Sequence, residues 1–325
     1  MARAFPTNRP WTALRAANVP PLSPPAIMGR MPMPHQTRGL EARSPCHTGP
    51  RNIIYSGFRF FSLSAFSTSC QGSCSPLMIH PTAIIEDGVV LGENCHIREG
   101  VILRRGTVLG DRVTVHSYAV IGGEPQDIKF DPATESGVRI GSGTTIREHV
   151  TVNRATHAGG ATVIGSQCYL MADAHVAHDC VLGDHVILAN GALLAGHLHV
   201  EGHVFIGGGA GLHQFGRVGE GAMVAGGARI ALDIPPNVMV AERNEIIGLN
   251  LVGLRRRGVD AAAVRELKDA FRAIYYTPGN IRDVAAKLLE DARTPEARHF
   301  IRFFTLGKRG IARPSREMIE ATAAL

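Results

Sequence analysis

The 325-residue sequence contains no run of apolar residues long enough to span a bilayer, so we expect no transmembrane helix. Its six cysteines include no C-x-x-C pair. Cys95, Cys168 and Cys180 recur where the sequence pattern predicts small buried side chains, so they are expected to be thiols. These absences argue against a membrane span and a disulfide framework, and they favour a reducing compartment.

Acidic residues are almost absent from positions 1–77, which carry eight Arg, no Lys and the single carboxylate Glu41. Residues 78–325 have 26 basic and 27 acidic side chains, so the basic balance belongs to the leader and does not indicate nucleic-acid binding. An Arg-rich, acid-poor leader is typical of an organelle transit peptide. We favour the alternative that Met78 is the true start, with residues 1–77 disordered and the protein cytoplasmic.

Aliphatic side chains, in contrast, are abundant and return every sixth position between Ile79 and Ile230. Of the 24 positions in this period, only Ala158 is not Ile, Leu or Val. A period of six is neither helical nor the alternation of a simple strand. It predicts an all-β solenoid over residues 78–240, a left-handed parallel β-helix of about eight hexapeptide coils.

Two polar insertions are expected to leave the coil. The first is a loop excursion over residues 123–139, and the second is a possible bulge at residues 157–162. Two prolines in residues 233–237 are expected to end the repetition. Beyond them, residues 241–325 read as a small α-helical domain, with helices beginning after Asp260, after Asn280 and at Thr294-Pro295.

Candidate catalytic residues come from a histidine-rich segment in the middle of the period. With 18 residues in each coil, residues 18 apart should stack in columns, with successive members of a column about 4.8 Å apart. Two neighbouring columns therefore place polar side chains at one corner of the coil. His175 ends the preceding hexad and is expected to lie beside this corner. The first column is His178, Gly196 and Gln214, and the second is Asp179, His197 and Phe215.

This set suits acyl transfer to a hydroxyl group. His178 is the candidate general base, Asp179 its orienting partner, and the N–H of Gly196 the donor to a developing oxyanion. No Ser or Cys occupies either column, which favours direct transfer over a covalent acyl-enzyme. His185, His199 and His203 are expected to be ordinary surface corners.

A zinc site is the competing interpretation, because three convergent histidines can bind the ion. It resembles the γ-class carbonic anhydrases, which share this repeat and place zinc between subunits. Their paired ligands usually follow an H-x4-H spacing, whereas this chain has His175-x2-His178. We therefore expect no bound metal.

Five motifs together resemble the UDP-N-acetylglucosamine O-acyltransferases that open lipid A biosynthesis. The resemblance covers essentially all of residues 78–310. The motifs are AHVAHDC (174–180), LAGH (194–197), HQF (213–215), DIPP (233–236) and GLNLVGLRRRG (248–258).

The resemblance implies transfer of an (R)-3-hydroxyacyl group from acyl carrier protein to the 3-hydroxyl of UDP-N-acetylglucosamine, by a homotrimer without a further cofactor. It implies that Gly226 limits acyl length. Val252 departs from the Glu that the family often carries. An N-acyltransferase acting on a UDP-amino sugar is a further alternative. The residues implied to contact substrate are Asp127, Lys129, His175, His197, Gln214, Asn250, Arg256 and Arg257.

Overall fold

A computed structural model describes residues 77–315 of the chain. The prediction for the leader, residues 1–77, lies outside the described residues except at Leu77, as do residues 316–325. Most of the strands are two residues long, since each forms one side of a coil. In chain order they are β1 (Met78–Ile79), β2 (Ile84–Ile85), β3 (Val90–Leu91), β4 (His96–Ile97), β5 (Ile102–Leu103), β6 (Thr107–Leu109), β7 (Thr114–Val115), β8 (Val120–Gly123), β9 (Gly137–Ile140), β10 (Thr145–Ile146), β11 (Thr151–Asn153), β12 (Ala161–Ile164), β13 (Tyr169–Leu170), β14 (His175–Val176), β15 (Val181–Leu182), β16 (Ile187–Leu188), β17 (Leu193–Leu194), β18 (His199–Val200), β19 (Phe205–Ile206), β20 (Gly211–Leu212), β21 (Arg217–Val218), β22 (Met223–Val224), β23 (Arg229–Ile230), β24 (Val238–Ala241), β25 (Glu245–Leu249) and β26 (Arg313–Pro314).

The strands stack into three sheets, and the chain visits the sheets in turn. Sheet I runs from β1 through every third strand to β22 and then continues with β24, β25 and β26; sheet II runs from β2 to β23; sheet III runs from β3 to β21. Neighbours within the coils pair in parallel, as His175 pairs with Leu193 and Leu193 with Gly211. This is the parallel β-helix that the six-residue period predicts.

The recurring aliphatic side chains form the shared interior, and those from Ile97 to Ile230 are buried in every coil. Burial of each such side chain contributes roughly 1.5–3 kcal/mol. Ala158 was wrongly assigned to the period, because it lies exposed in an insertion and not in a strand. Glycine follows several anchors because adjacent coils approach closely: a Cβ on Gly165 would lie 2.5 Å from the Gly183 backbone.

Two insertions interrupt the coils, as the sequence predicts. Residues 124–136 leave between β8 and β9 as a loop, so the predicted end of this excursion at residue 139 lies inside β9. Arg154 holds this loop by donating to the carbonyl oxygens of Thr134 (2.6 Å) and Pro132 (2.9 Å). Residues 154–160 form a shorter bulge between β11 and β12, so the bulge begins three residues before the predicted range 157–162, whose last two residues lie in β12. Because of this bulge, Thr151 pairs with His175, 24 positions further along instead of 18.

Past the DIPP segment, β24 still pairs with β22 in parallel, and β25 returns antiparallel to β24. The predicted domain boundary at residues 240/241 therefore falls within this hairpin. Within the described residues four helices follow; the last three have the predicted N-caps, and the first, a short helix, was not predicted. No helix within residues 77–315 is long and apolar enough to cross a membrane. The helices are α1 (Leu251–Arg256), α2 (Ala261–Tyr276), α3 (Ile281–Asp291) and α4 (Pro295–Thr305).

Two polar contacts bind α4 and the segment after it to the coils. Asp233, which is 1% exposed, accepts a hydrogen bond from Arg217 Nε at 2.8 Å. The same guanidinium lies 4.1 Å from the ring centre of Phe303. His299 contacts Glu201 at 2.7 Å. The contacts of Arg217 with Phe303 and of His299 with Glu201 join the coils to α4, and Arg217 Nη2 also donates to the Leu306 carbonyl at 2.9 Å just after α4, so the helical region has a fixed position on the solenoid.

Candidate functional site

The corner between β14 and β15 brings together the two columns of polar residues. The His197 N–H donates to the His178 carbonyl at 3.0 Å, and the Phe215 N–H donates to that of Gly196 at 3.0 Å. The rings of His178 and His197 meet edge to face, with centroids 5.1 Å apart, and His197 stacks on Phe215 at 4.5 Å. The 18-residue spacing thus places both imidazoles at one corner.

Asp179 is the most enclosed polar side chain of this corner, only 5% exposed. Its Oδ2 lies 2.8 Å from His178 Nδ1 and accepts a hydrogen bond from Thr156 Oγ1 at 2.7 Å. An ionised carboxylate can only accept, so His178 Nδ1 carries the proton and Nε2 is left as the basic nitrogen. This is the tautomer that a general base requires.

The electrostatics of the corner favour an ionised Asp179 and a neutral His175. Burial raises the pKa of Asp179, but hydrogen bonds from Thr156 and His178 outweigh it and leave the pKa below the ordinary value. Burial lowers the pKa of His175, and the nearby His178 lowers it further. The His175 Nδ1 lies 2.7 Å from Thr151 Oγ1, which fixes the ring at the edge of the site.

Gly196 is needed sterically beneath the imidazole of His178. A Cβ at this position would lie 2.5 Å from His178 Cε1, closer than real contacts allow. The absence of a side chain therefore seats the ring of His178 against the backbone of the next coil. It also leaves the peptide unit of Gly196 unshielded beside the proposed base.

A groove of about 890 Å³ runs along sheet II past this corner. His175, His178, Gly196 and Gln214 line it, together with Gln126 from the excursion loop. Arg309, from the segment after α4, donates hydrogen bonds to the carbonyl oxygens of Gln214 and Ala231. The helical region thereby fixes the backbone at one wall of the groove. Further along, the wall contains Leu193, Leu194, Gly211, Leu212, Arg229, Ile230, Arg243 and Asn244.

A second pocket, about 610 Å³, contains the C-terminal candidates Asn250, Arg256 and Arg257. Asn250 is the N-cap of α1, accepting from Gly253 N at 2.9 Å and donating to Gly221 O at 3.0 Å. Val252 lies in the wall, in the place of the expected Glu.

Arg257 in this pocket is held by neighbours, donating to Glu220 Oε1 at 3.0 Å and to Asn237. Arg256 is exposed. The stacked rings of His185 and His203, 4.6 Å apart, form another wall of this pocket, and both residues are exposed, as expected for corner histidines. None of the C-terminal candidates lines the groove of His178.

Besides His197, which meets the His178 ring but does not line the groove, three further candidates lie apart from the groove wall. Asp127 and Lys129 are exposed on the excursion loop, where Asp127 Oδ1 accepts from Lys129 N at 3.0 Å. Gly226 stands at the corner between β22 and β23, against the backbone of Gly208. One chain therefore does not bring all of the sequence-derived candidates into a single cavity.

Among residues 77–315, one group of three potential metal-binding side chains lies close together: His178, Asp179 and His197, with ligand atoms within 4.8 Å. The hydrogen bonds already described engage Asp179 with His178 and with Thr156. These contacts account for the close approach as an acid–base pair.

Sequence reasoning missed three residues around the Asp179 carboxylate and backbone. Thr156 donates to the carboxylate through both its backbone N–H and its hydroxyl, and His157 Nδ1 lies 3.1 Å from Oδ1. The N–H of Asp179 donates to Thr162 Oγ1 at 2.8 Å. Thr156 and His157 belong to the bulge, and Thr162 belongs to β12 directly after it. Their position one coil before the His178-Asp179 pair was the signal that could have identified them.

Hexapeptide coils with a histidine–carboxylate pair at one corner are typical of a hexapeptide-repeat transferase. The sequence comparisons agree with this class. A family model described as bacterial transferase hexapeptide matches residues 161–196. A second, described as UDP-N-acetylglucosamine O-acyltransferase domain 2, matches residues 233–312.

Relatives that match over 95% of their own length narrow the class to one family. The acyl-[acyl-carrier-protein]–UDP-N-acetylglucosamine O-acyltransferase of Campylobacter lari is 44% identical over 253 residues, covering 72% of this chain and 95% of its own. The Rhizobium johnstonii enzyme of the same name is 36% identical over 260 residues, covering 73% and 95%. The chain therefore belongs to the acyl-[acyl-carrier-protein]–UDP-N-acetylglucosamine O-acyltransferase family.

Solved structures agree with this assignment. The UDP-N-acetylglucosamine acyltransferase from Campylobacter jejuni has a TM-score of 0.66 and 35% identity, covering 73% of this chain and all (100%) of its own. The Arabidopsis enzyme has a TM-score of 0.62 and 27% identity, with coverage of 73% and 100%. These neighbours confirm the left-handed β-helix, and the family relationship favours the O-acyltransferase over the zinc and N-acyltransferase alternatives.

Proposed function

We propose that this protein transfers an (R)-3-hydroxyacyl group from acyl carrier protein to the 3-hydroxyl of UDP-N-acetylglucosamine, the first step of lipid A biosynthesis. The observation that carries the proposal is the partly buried Asp179–His178 pair, 2.8 Å apart, beside Gly196 on the wall of the groove. Membership of the family supports the donor and acceptor classes.

In the proposed reaction, His178 Nε2 removes the proton of the sugar hydroxyl as its oxygen attacks the thioester carbonyl carbon. Asp179 stabilises the imidazolium that forms, and the Gly196 N–H donates to the oxyanion. Collapse of the tetrahedral intermediate breaks the carbon–sulfur bond, and the imidazolium returns its proton to the thiolate. The products are the sugar ester and the free thiol of acyl carrier protein.

The reaction balances without a cofactor on this chain, because the phosphopantetheine thioester of the donor carries the activated acyl group. Among the described residues that line the groove there are His and Gln side chains but no Ser or Cys side chain. Direct transfer therefore accounts for the groove better than an acyl-enzyme does. His175, His197 and Gln214 are assigned to substrate contact, since they surround the proposed base.

The separation of the two pockets supports a homotrimer with sites between neighbouring solenoids. The groove of His178 follows sheet II, whereas the pocket of Asn250, Arg256 and Arg257 borders sheet I. If both pockets serve one substrate pair, different chains must supply them. Arginine recognises phosphate with two parallel hydrogen bonds, so we assign Arg256 and Arg257 to the nucleotide or the phosphopantetheine.

The remaining assignments follow the family. Asp127 and Lys129 on the excursion loop would hold the sugar and acyl parts, and Gly226 would limit acyl length by leaving room for a long chain. A cytoplasmic location, with an organelle as the alternative, remains a prediction. Cys95, Cys168 and Cys180 are buried free thiols, in agreement with a reducing compartment.

The test is acyl transfer by the purified protein with UDP-N-acetylglucosamine and 3-hydroxyacyl carrier proteins of several chain lengths. His178→Ala should lower kcat by about 10²–10⁴-fold. The matched control is His199→Ala, an exposed histidine on β18 whose loss should leave kcat unchanged. No transfer by the folded wild-type protein, or equal rates in wild type and His178→Ala, would refute the proposal.

A further inference from the structure

Asp179 contacts a second hydrogen-bonding imidazole that the mechanism above does not use. His157 Nδ1 lies 3.1 Å from Oδ1 of Asp179, while His178 Nδ1 lies 2.8 Å from Oδ2. Because the carboxylate is an acceptor only, His157 must donate through Nδ1. The two histidines therefore bond opposite oxygens of one buried carboxylate.

The fold builds this contact in several ways. The six-residue lengthening of the coil between Thr151 and His175 is what brings the bulge to this corner. The His157 ring packs over Gly160, where a Cβ would lie 2.4 Å from Nε2, and the Gly160 N–H donates to the His157 carbonyl at 3.0 Å. Thr156, the preceding residue, is tied to Asp179 through its backbone and its hydroxyl. The His157 ring is 70% exposed, and its packing on Gly160 and the anchored backbone of Thr156 keep its Nδ1 beside the carboxylate.

The donors around Asp179 compete for its orientation. Thr156 and His178 both bond Oδ2, at 2.7 and 2.8 Å, and His197 Nε2 lies 3.7 Å from the same oxygen. The contacts to Oδ1 are His157 and the Thr156 N–H, at 3.1 and 3.2 Å. His157 is therefore the side-chain donor that opposes a rotation of the carboxylate away from His178.

We propose that His157 is a positioning residue for the acyl transfer: its bond to Oδ1 holds the Asp179 carboxylate in the orientation from which Oδ2 directs His178. This inference rests on the proposed function. His157 does not line the groove, so it acts through Asp179 and not on the substrate. Loss of its bond should impair proton transfer and leave substrate binding unchanged.

The test compares His157→Ala with His157→Asn. The side-chain amide of Asn places an N–H donor near the position of Nδ1, so it should restore what Ala removes. His157→Ala should lower kcat about tenfold, the worth of one hydrogen bond to a charged group, with KM for both substrates unchanged. His157→Asn should be close to wild type, as should the exposed control His199→Ala.

A second measurement does not depend on turnover. In the proton spectrum of the nitrogen-15-labelled protein, the His178 Nδ1–H should give a downfield hydrogen-bonded signal that shifts or broadens in His157→Ala and returns in His157→Asn. If the wild type transfers no acyl group, the proposed function fails, and this signal still decides the role of His157. An unchanged kcat, an equal loss in Ala and Asn variants, or an unchanged signal would overturn the inference.

Discussion

Replacing Asp179 with Asn tests whether the carboxylate sets the tautomer and charge of His178. Asp179 has a left-handed backbone with φ of 59°, which Asn adopts as readily as Asp. With the amide oxygen in the Oδ1 position, it accepts from the Thr156 N–H and from His157, and the NH₂ group in the Oδ2 position can only donate to His178 Nδ1. The imidazole must then carry its proton on Nε2, where the base needs a lone pair.

The magnitude follows from the 2.8 Å contact between Asp179 Oδ2 and His178 Nδ1. With charge centres about 4 Å apart and an effective dielectric constant of about 20, the ion pair formed in the transition state is worth about 4 kcal/mol. This corresponds to roughly 10³-fold in kcat. The wrong tautomer adds to the loss, and the equivalent change in serine proteases costs about 10⁴-fold.

The assay is steady-state acyl transfer, with thermal unfolding as the check on folding. Asp173→Asn is the matched control, because Asp173 has the same left-handed backbone (φ 62°) and an exposed side chain one hexad earlier. We expect a loss of about 10³–10⁴-fold in Asp179→Asn and wild-type activity in the control. A loss below tenfold in a folded Asp179→Asn protein would refute the assignment of Asp179, as would equal losses in both variants.

Three other changes test the site and the attachment of the helical region. Gly196→Ala should displace the His178 ring and lower kcat by roughly 10²-fold, with KM less affected; wild-type kcat would contradict the steric argument. Arg217→Met should lower the free energy of unfolding by about 3 kcal/mol in denaturant titrations, because it leaves the buried charge of Asp233 unpaired. The hydrogen bond that His299 donates to Glu201 raises the pKa of His299 above its ordinary 6.5. Burial raises the pKa of Glu201, but the bond from His299 leaves it below 4.5. Both contributions are present between pH 4.5 and 6.5, and the histidine's is lost as pH rises through its raised pKa. His299→Gln should therefore lower the unfolding temperature at about pH 6 but match wild type at about pH 9, and an equal deficit at both would contradict the linkage.

The solenoid was predictable because burial imposes a strict period on it. Each anchor must fill the interior of its own coil, so its spacing appears directly in the sequence. The caps of the later helices were equally readable, since Asp260, Asn280 and Thr294 each accept from a first-turn N–H. The short helix α1 was missed because its cap, Asn250, stands in a motif that the family resemblance assigns to substrate.

The catalytic corner was only partly predictable, because the period locates residues only within an uninterrupted run of coils. Counting by 18 gives the position of a residue round the coil only where the chain is unbroken, as it is from His178 to Gln214. The bulge before His178 breaks the count, so Thr156 and His157 meet Asp179 at spacings of 23 and 22 residues. Neither spacing is a multiple of six or of 18, so counting along the period does not identify these two residues. Residues of an insertion one coil away from a catalytic pair are therefore candidates for the site. The 18-residue register positions the pair but does not predict where the residues of the insertion lie.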